Sequence, residues 1–506
     1  MFVRSPHPAS VRRCLVLLVL PTLLLCACTH SEAWRRHRPI AVATTTPPAL
    51  PTFYNHQLSN GLAVLTAALP TPSIVHVQLT VRVGSAQDPV DKPGTAYLLG
   101  RMLQESTKQQ NSLQLAKAFA DLGSNVQVQV LQDAIHLSVG VIQQHVDKAV
   151  QLLAQMLQQP AFARYDFERV YANHIASLQR NQANAAYVAM TTFWREAYGK
   201  AHPYDHPVHG TLDPKLLSNQ QRQQERMRHM LQSVRNMWQS YVGPHNAALL
   251  LSGSITTQQA QQLAQTYFGQ WQHRTTPVAV PANPPMPQQL MVHVIPRPNS
   301  TQTFVLLGKP IIQPGQPSNA ALLVLNEILG GLFSSRLNLI LREEKGWTYG
   351  VHATLRGMRG MGPLLIYANV KNSYLDSQTQ QQLPCAPAAL QIMIGQLKLL
   401  QQTAPSSKEI QMAKQNLLYA LPGGFDTVEA VCRYMASLFV RNLPFDYYHQ
   451  LLQDIANVTA QQLLAVAKEK LSEQQMHAVL VGDPTYLQPE SFQLPNAQIV
   501  VHPPIQ

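Results

Sequence analysis

Cysteine is scarce in this chain. Of five cysteines in 506 residues, Cys14, Cys26 and Cys28 crowd the N-terminus, which leaves Cys385 and Cys432 for the folded part. No C-x-x-C pair occurs, so the usual sequence sign of a thiolate metal knuckle or a dithiol redox site is missing. The two remaining thiols either pair in an oxidising compartment or are both buried and free, and their spacing does not choose between these. Charge is thin as well: 13% of residues are charged, and the net charge of +12 is not gathered into a dense Lys/Arg stripe. That argues against nucleic-acid binding and supports only a mild attraction to acidic surfaces or peptides. The long apolar run from Cys14 to Ala27 is too short for a comfortable membrane span.

What is present begins with that run. A basic start (Arg4, Arg12, Arg13) precedes it, so residues 1–27 read as a secretory signal peptide. Leu25-Cys26-Ala27-Cys28 resembles a bacterial lipobox. The resemblance implies lipidation at Cys28 and, with Thr29 next, residence on the periplasmic face of the outer membrane. An ordinary cleaved signal or a membrane anchor is the other reading. Residues 28–51 form a polar, Thr/Pro-rich tether expected to be flexible or extended.

A long-period repeat organises the remainder. Tyr241 to Gly253 is a helix exit leading into an apolar strand that ends in glycine, and Leu471 to Gly482 follows the same logic. An amphipathic helix is expected before each, around Arg228–Tyr241 and Thr459–Leu471. Between the halves, residues 276–288 carry five prolines (Pro277, Pro281, Pro284, Pro285, Pro287) and read as an extended linker. The halves are thus 52–275 and 289–503. In each, strands alternate with helices of ten or more residues, which predicts an α+β fold of two similar halves.

Ile74 to Val83 alternates as a strand does and ends in Gly84-Ser85. Gly94-Thr95-Ala96-Tyr97-Leu98-Leu99-Gly100-Arg101-Met102-Leu103 then has helical spacing of Leu98, Leu99, Met102 and Leu103. This passage resembles the start of the pitrilysin/insulinase-type zinc metallopeptidases, whose helix reads roughly G-x-A-H-L-L-E-H-M-L. The inverted H-x-x-E-H motif there supplies two zinc-binding histidines and a glutamate general base. Here those positions hold Tyr97, Gly100 and Arg101. Residues 97 and 101 share one helix face, but a permanent guanidinium cation has no lone pair for a metal, and Gly100 has no side chain to activate water. The family's third ligand, a glutamate on a later helix, falls at Ser177, and no Glu lies between Val170 and Trp194. The zinc site is therefore expected to be degenerate, with no metal held by this chain.

The second half carries a further match. Gly330-Gly331-Leu332-Phe333-Ser334-Ser335-Arg336-Leu337 leads into Leu341-Arg342-Glu343-Glu344-Lys345-Gly346-Trp347-Thr348-Tyr349-Gly350, which resembles the C-terminal domain signature of the same peptidases. There an arginine and a tyrosine seven positions on hold the substrate backbone and the oxyanion, and Arg342 and Tyr349 stand at that spacing. A fixed fork of donors and a phenol suit that task. The structural alternative pairs Arg342 with Glu343 or Glu344 and makes Tyr349 a strand core residue. The resemblance covers nearly everything from Phe53 to Val501. It implies two α+β subdomains in each half and a clam-shell around a peptide chamber.

Other motifs carry less. His202-Pro203-Tyr204-Asp205-His206 imitates a ligand pair, but Pro203 and Pro207 deny it a regular helix. It matches the family's structural H-P-Y-x-x-P-x-x-G turn. His174, a single histidine on a helix, is expected to be merely hydrogen-bonded. Gly357 to Gly362 lacks the strand-then-helix setting of a phosphate loop and reads as a hairpin loop.

These readings converge on an inactive, zinc-less subunit that binds peptides and completes the active site of a related zinc-bearing partner, as a heterodimer in proteolysis. Zinc is expected in the partner. A non-enzymatic peptide-binding or scaffold lipoprotein is the alternative, and an active zinc endopeptidase with relocated ligands is a third.

Overall fold

Fourteen strands and thirteen α-helices are described in the computed structural model, which covers residues 50–70, 73–212 and 220–504. The predicted signal, Cys28 and nearly all of the tether lie outside the described residues. The strands are β1 Tyr54–Gln57, β2 Ala63–Ala68, β3 Ile74–Val81, β4 Gln127–Val130, β5 Ile135–Ile142, β6 Ala247–Gly253, β7 Leu290–Pro296, β8 Gln302–Ile312, β9 Val351–Leu355, β10 Gly362–Lys371, β11 Ser373–Leu375, β12 Gln382–Pro384, β13 His477–Gly482 and β14 Ala497–Val501. The helices are α1 Thr95–Leu103, α2 Ser112–Ala120, α3 Val146–Gln158, α4 Arg164–Gln182, α5 Ala185–Tyr198, α6 Gln220–Tyr241, α7 Thr257–Phe268, α8 Ser318–Asn326, α9 Cys385–Gln402, α10 Ser407–Gly423, α11 Val428–Arg441, α12 Tyr447–Asn457 and α13 Ala460–Lys470.

The fold is α+β with two similar halves, each built on a six-stranded sheet. The first sheet runs β1-β2-β6-β3-β5-β4 and the second β14-β7-β13-β8-β10-β9. In both, one inner pair is parallel (β2 with β6, β7 with β13) and the next three pairings are antiparallel. Only the outermost strand differs, since β1 is antiparallel and β14 parallel to its neighbour. The glycine-ended strands and their amphipathic helices form as the repeat predicts, as β6 after α6 and β13 after α13. Residues 272–287, which span most of the Pro-rich stretch, carry no helix or strand. No helix among the described residues is long and apolar enough to cross a membrane.

The halves exchange a helix. β3 alternates Val75, Val77, Leu79 and Val81, buried with α3 in the first half's core, against His76, Gln78 and Thr80. Alternation of this kind ordinarily leaves the polar face to water. Here the polar face is buried too, because α11 from the second half packs on β3 and β6. Cys432 donates its thiol toward the His76 carbonyl, and Ser252 Oγ donates to the Val428 carbonyl. Reciprocally, α5 from the first half lies on β8 and β13. Its Phe193, Trp194 and Tyr198 form a core with Phe304, Leu306, Leu365, Val479 and Val481. Cys385 and Cys432 are both buried and unpaired, which settles the disulfide question in favour of free thiols.

Candidate functional site

α1 is an amphipathic helix whose Leu98, Leu99, Met102 and Leu103 are fully buried. Its N-terminus is set by Gly94, which adopts a left-handed φ of 95°, a conformation that side chains resist. A Cβ there would also stand 2.9 Å from the His209 carbonyl oxygen. The free N–H groups of this first turn find a carboxylate: Asp88 Oδ2 accepts from Gly94 N at 2.6 Å and Oδ1 from Ala96 N at 2.7 Å. Asp88 is fully buried, and His206 Nε2 lies 3.2 Å from its Oδ2 while Nδ1 contacts Asp205 Oδ1 at 2.6 Å. Burial alone would lower the His206 pKa, but bonds to Asp205 and Asp88 and their charges push it up to about 9. Burial raises the pKa of Asp88, an effect that His206 and the two backbone donors oppose. The H-P-Y segment therefore forms turns, as its prolines predict, and fastens itself across the start of α1.

The three positions of the zinc motif follow. Tyr97 is half-buried, its ring packed between His174 (centroids 5.0 Å apart) and His209 (4.6 Å). His174 departs from expectation: its Nδ1 is buried with no hydrogen-bond partner, because the ring is used for packing on Tyr97. Burial lowers its pKa to about 4. Gly100 faces β4 so closely that a Cβ would meet Val130 Cγ2 at 2.3 Å. Arg101 turns back to within 2.9 Å of the Gln104 amide. Ser177 lies one turn beyond His174 on α4, half-buried, on a helix packed against α1.

These residues do not fit a zinc ion. The general-base position has no room for a side chain, a cation stands at a ligand position, and a hydroxyl replaces the third carboxylate.

Arg342 and Tyr349 occupy the connection between α8 and β9, Arg342 on its π-helical stretch Asn338–Glu344 and Tyr349 on the irregular backbone that follows. Asn338 holds both ends of it: Nδ2 donates to the Leu332 carbonyl at 3.1 Å and the Val351 carbonyl at 3.0 Å, and Oδ1 accepts from Val351 N at 2.8 Å. Nothing in the sequence marks this buried asparagine. The backbone between is wound in wide turns, with Lys345 N donating to the Ile340 carbonyl. The Arg342 guanidinium lies 3.8 Å from the centroid of the exposed Phe333 ring, and its Nε is 3.5 Å from Glu343 Oε1. Tyr349 is 91% exposed, so it is no core residue. The two side chains share one connection without a hydrogen bond between them.

Comparison with known proteins places this arrangement. Residues 63–204 match the model described as insulinase (peptidase family M16), and residues 230–417 the model described as peptidase M16 inactive domain. The chain is similar to an uncharacterized zinc protease of Rickettsia felis, at 24% identity over 63% of this chain and 74% of that protein. It is also similar to a protein of Helicobacter pylori named a non-peptidase homolog, at 20% identity over 76% of this chain and 84% of that one. Among solved structures, a peptidase M16 inactive domain from Pseudomonas fluorescens superposes with a TM-score of 0.73 and 22% identity, covering 85% of this chain and 98% of its own. A protease from Helicobacter pylori superposes at 0.76 with 19% identity, covering 85% and 100%.

Proposed function

Because the chain belongs to the insulinase family, peptidase family M16, and its zinc-motif positions hold Tyr97, Gly100, Arg101 and Ser177 in place of ligands and base, we propose that it is the non-catalytic subunit of a two-part zinc metallopeptidase. Its likeness to a non-peptidase homolog and the motif positions it has lost support an inactive peptidase-like protein. In the proposed assembly it binds peptide and presents Arg342 and Tyr349 to the zinc site of a related partner subunit. The partner carries the intact H-x-x-E-H motif and the metal. As a lipoprotein anchored through Cys28, the chain would hold that assembly at the periplasmic face of the outer membrane. The observation that carries the reading is the contrast between two sites. The Gly100 position is closed by Val130, whereas Tyr349 stands almost wholly exposed on a loop whose ends are fixed.

The chemistry is that of a donor pair. A guanidinium and a phenol held outside water would bind a substrate carbonyl oxygen and the charge that develops on it, an effect worth about 10²–10³ in rate per donor. Phe333 supports the guanidinium from one face, with Glu343 Oε1 3.5 Å from its Nε.

The test is a cleavage assay on the purified mature chain, alone and mixed with a related chain from the same cells that has an intact H-x-x-E-H. Cleavage should appear only in the mixture, and Arg342→Ala or Tyr349→Phe should lower it about 10²-fold or more without loss of the complex. Full activity from the chain alone, metal-free, would refute the reading. Unchanged mixed activity in both variants would favour the scaffold alternative.

A further inference from the structure

Where the two halves meet beneath the exchanged α11, a cavity of about 510 Å³ opens. Its walls come from three places: the β4–β5 hairpin, the β9–β10 turn and α11. The first two lie in different sheets, and α11, crossing from the second half to the first, supplies the third wall.

Its electrostatics are one-sided. Arg356, Arg433 and Arg441 line it, and no carboxylate among the described residues lies within 4 Å of any of them. Arg441 is oriented by its own helix and by α12, donating to Ser437 Oγ at 2.6 Å and Tyr448 Oη at 3.3 Å. Arg356 and Arg433 are exposed and make no such bond. Behind the wall, Arg82 stacks on Phe439 and is acidified to about 10 by burial and by the neighbouring charge of Arg359. The carboxyl group that lines the cavity, Asp133, is already engaged: Oδ1 accepts from Tyr204 Oη at 2.7 Å and Oδ2 from Arg359 N at 2.9 Å. Burial raises its pKa.

The uncharged lining also points to donors. Gln78 Nε2 donates to Thr80 Oγ1, which leaves the Thr80 hydroxyl proton for His136 Nδ1 at 2.9 Å. The amide donor Gln78 Nε2 also lies 3.2 Å from His136 Nδ1, a contact that favours the tautomer with the proton on Nε2. Burial lowers the His136 pKa to about 4, so the ring stays neutral. The apolar part of the lining is Leu131, Met358, Ala436 and Val440.

We propose that this cavity binds a small organic phosphate, a polyanion with an apolar body. Unpaired guanidinium groups match phosphate oxygens in charge and in fork geometry. Arg433 and Arg441 are eight residues apart on one helix, a rise of about 12 Å. One carboxylate cannot reach both, but a chain of phosphates with an attached apolar group can span that length. The volume lies in the ordinary range for small-molecule sites. This site stands apart from the peptidase-like reading and does not depend on it.

Isothermal titration of the mature chain in EDTA tests it, with ATP, tripolyphosphate and adenosine as probes. ATP should bind saturably, weaken as salt rises, and lose at least tenfold in affinity in Arg356→Gln and in Arg433→Gln, both exposed positions that the fold does not use. Arg180→Gln, which removes the same charge on the exposed end of α4, should leave binding unchanged. Tripolyphosphate binding as tightly as ATP would assign the affinity to the guanidinium groups alone. Weaker tripolyphosphate binding would give the apolar floor its share. Either result upholds the site. Absence of saturable ATP binding, equal loss in the Arg180 variant, or equal binding of adenosine would overturn it.

Discussion

Val130 stands in the space that a side chain at position 100 would need. A Cβ on Gly100 would lie 2.3 Å from Val130 Cγ2, on an edge strand that pairs with β5 along its length. The general-base position of the family's zinc motif has thus become a packing contact between α1 and an edge strand.

Gly100→Ala should therefore destabilise the protein by about 1–3 kcal/mol, the usual cost of overpacking. An alanine in an unhindered helix would instead gain about 1 kcal/mol over glycine. Adding Val130→Ala should recover most of the loss, because the two side chains compete for one space. Urea midpoints of the two single variants and the double variant read this directly; a neutral Gly100→Ala would contradict the contact.

Rebuilding the motif should fail for the same reason. The chain carrying Tyr97→His, Gly100→Glu, Arg101→His and Ser177→Glu together should be less stable than the parent. It should neither retain zinc through gel filtration nor cleave peptides. Stoichiometric metal in that variant would show that α1 and β4 can separate.

Stability should fall on the alkaline side through His206. Its folded-state pKa of about 9 lies above the unfolded value of about 6.5. The bond to Asp88 and Asp205 is then fully present below pH 6.5 and is lost as pH rises toward 9. The integrated effect is at most about 3 kcal/mol. Unfolding free energies at pH 6 and pH 9 should differ in the parent, and the difference should shrink in His206→Gln, which starts lower at pH 6.

The exchanged helices should make the halves unfold together. Phe193 is fully buried on α5 against the second half's sheet, so Phe193→Ala should cost about 3–5 kcal/mol. A single calorimetric transition, moved as a whole, is the expected result. A transition split in two, with only the second half affected, would mean that the halves are energetically separate.

The two thiols of the folded part should be inert in the native state. Burial pushes Cys385 up to about 11 and Cys432 up to about 12, so neither offers thiolate at neutral pH. A thiol reagent should modify them only at the rate of unfolding, and both should react in denaturant.

Much of the fold is legible in the chain itself. Local periodicity places β3, α1, β6 and β13, because alternation and the helical repeat depend on neighbours a few residues apart. The loss of zinc ligands is equally plain, since Tyr97, Gly100, Arg101 and Ser177 lack the donor set whatever surrounds them. Pro203 and Pro207, beside His202 and His206, likewise rule out a ligand helix on backbone grounds alone.

What the sequence by itself determined, then, was the set of elements and the chemistry that α1 could not perform. Only the tertiary structure decided what took the place of that chemistry. Val130 reaches Gly100, Asp88 meets His206, and α11 covers His76, Gln78 and Thr80, all across long separations in the chain. The alternating pattern of β3 reads as a half-solvated strand, yet both faces are dry. The same exchange of helices brings Arg433 and Arg441 opposite Arg356 around one cavity. No local rule carries such pairings, because they arise from how two similar halves trade a helix when each sheet has a second face to bury.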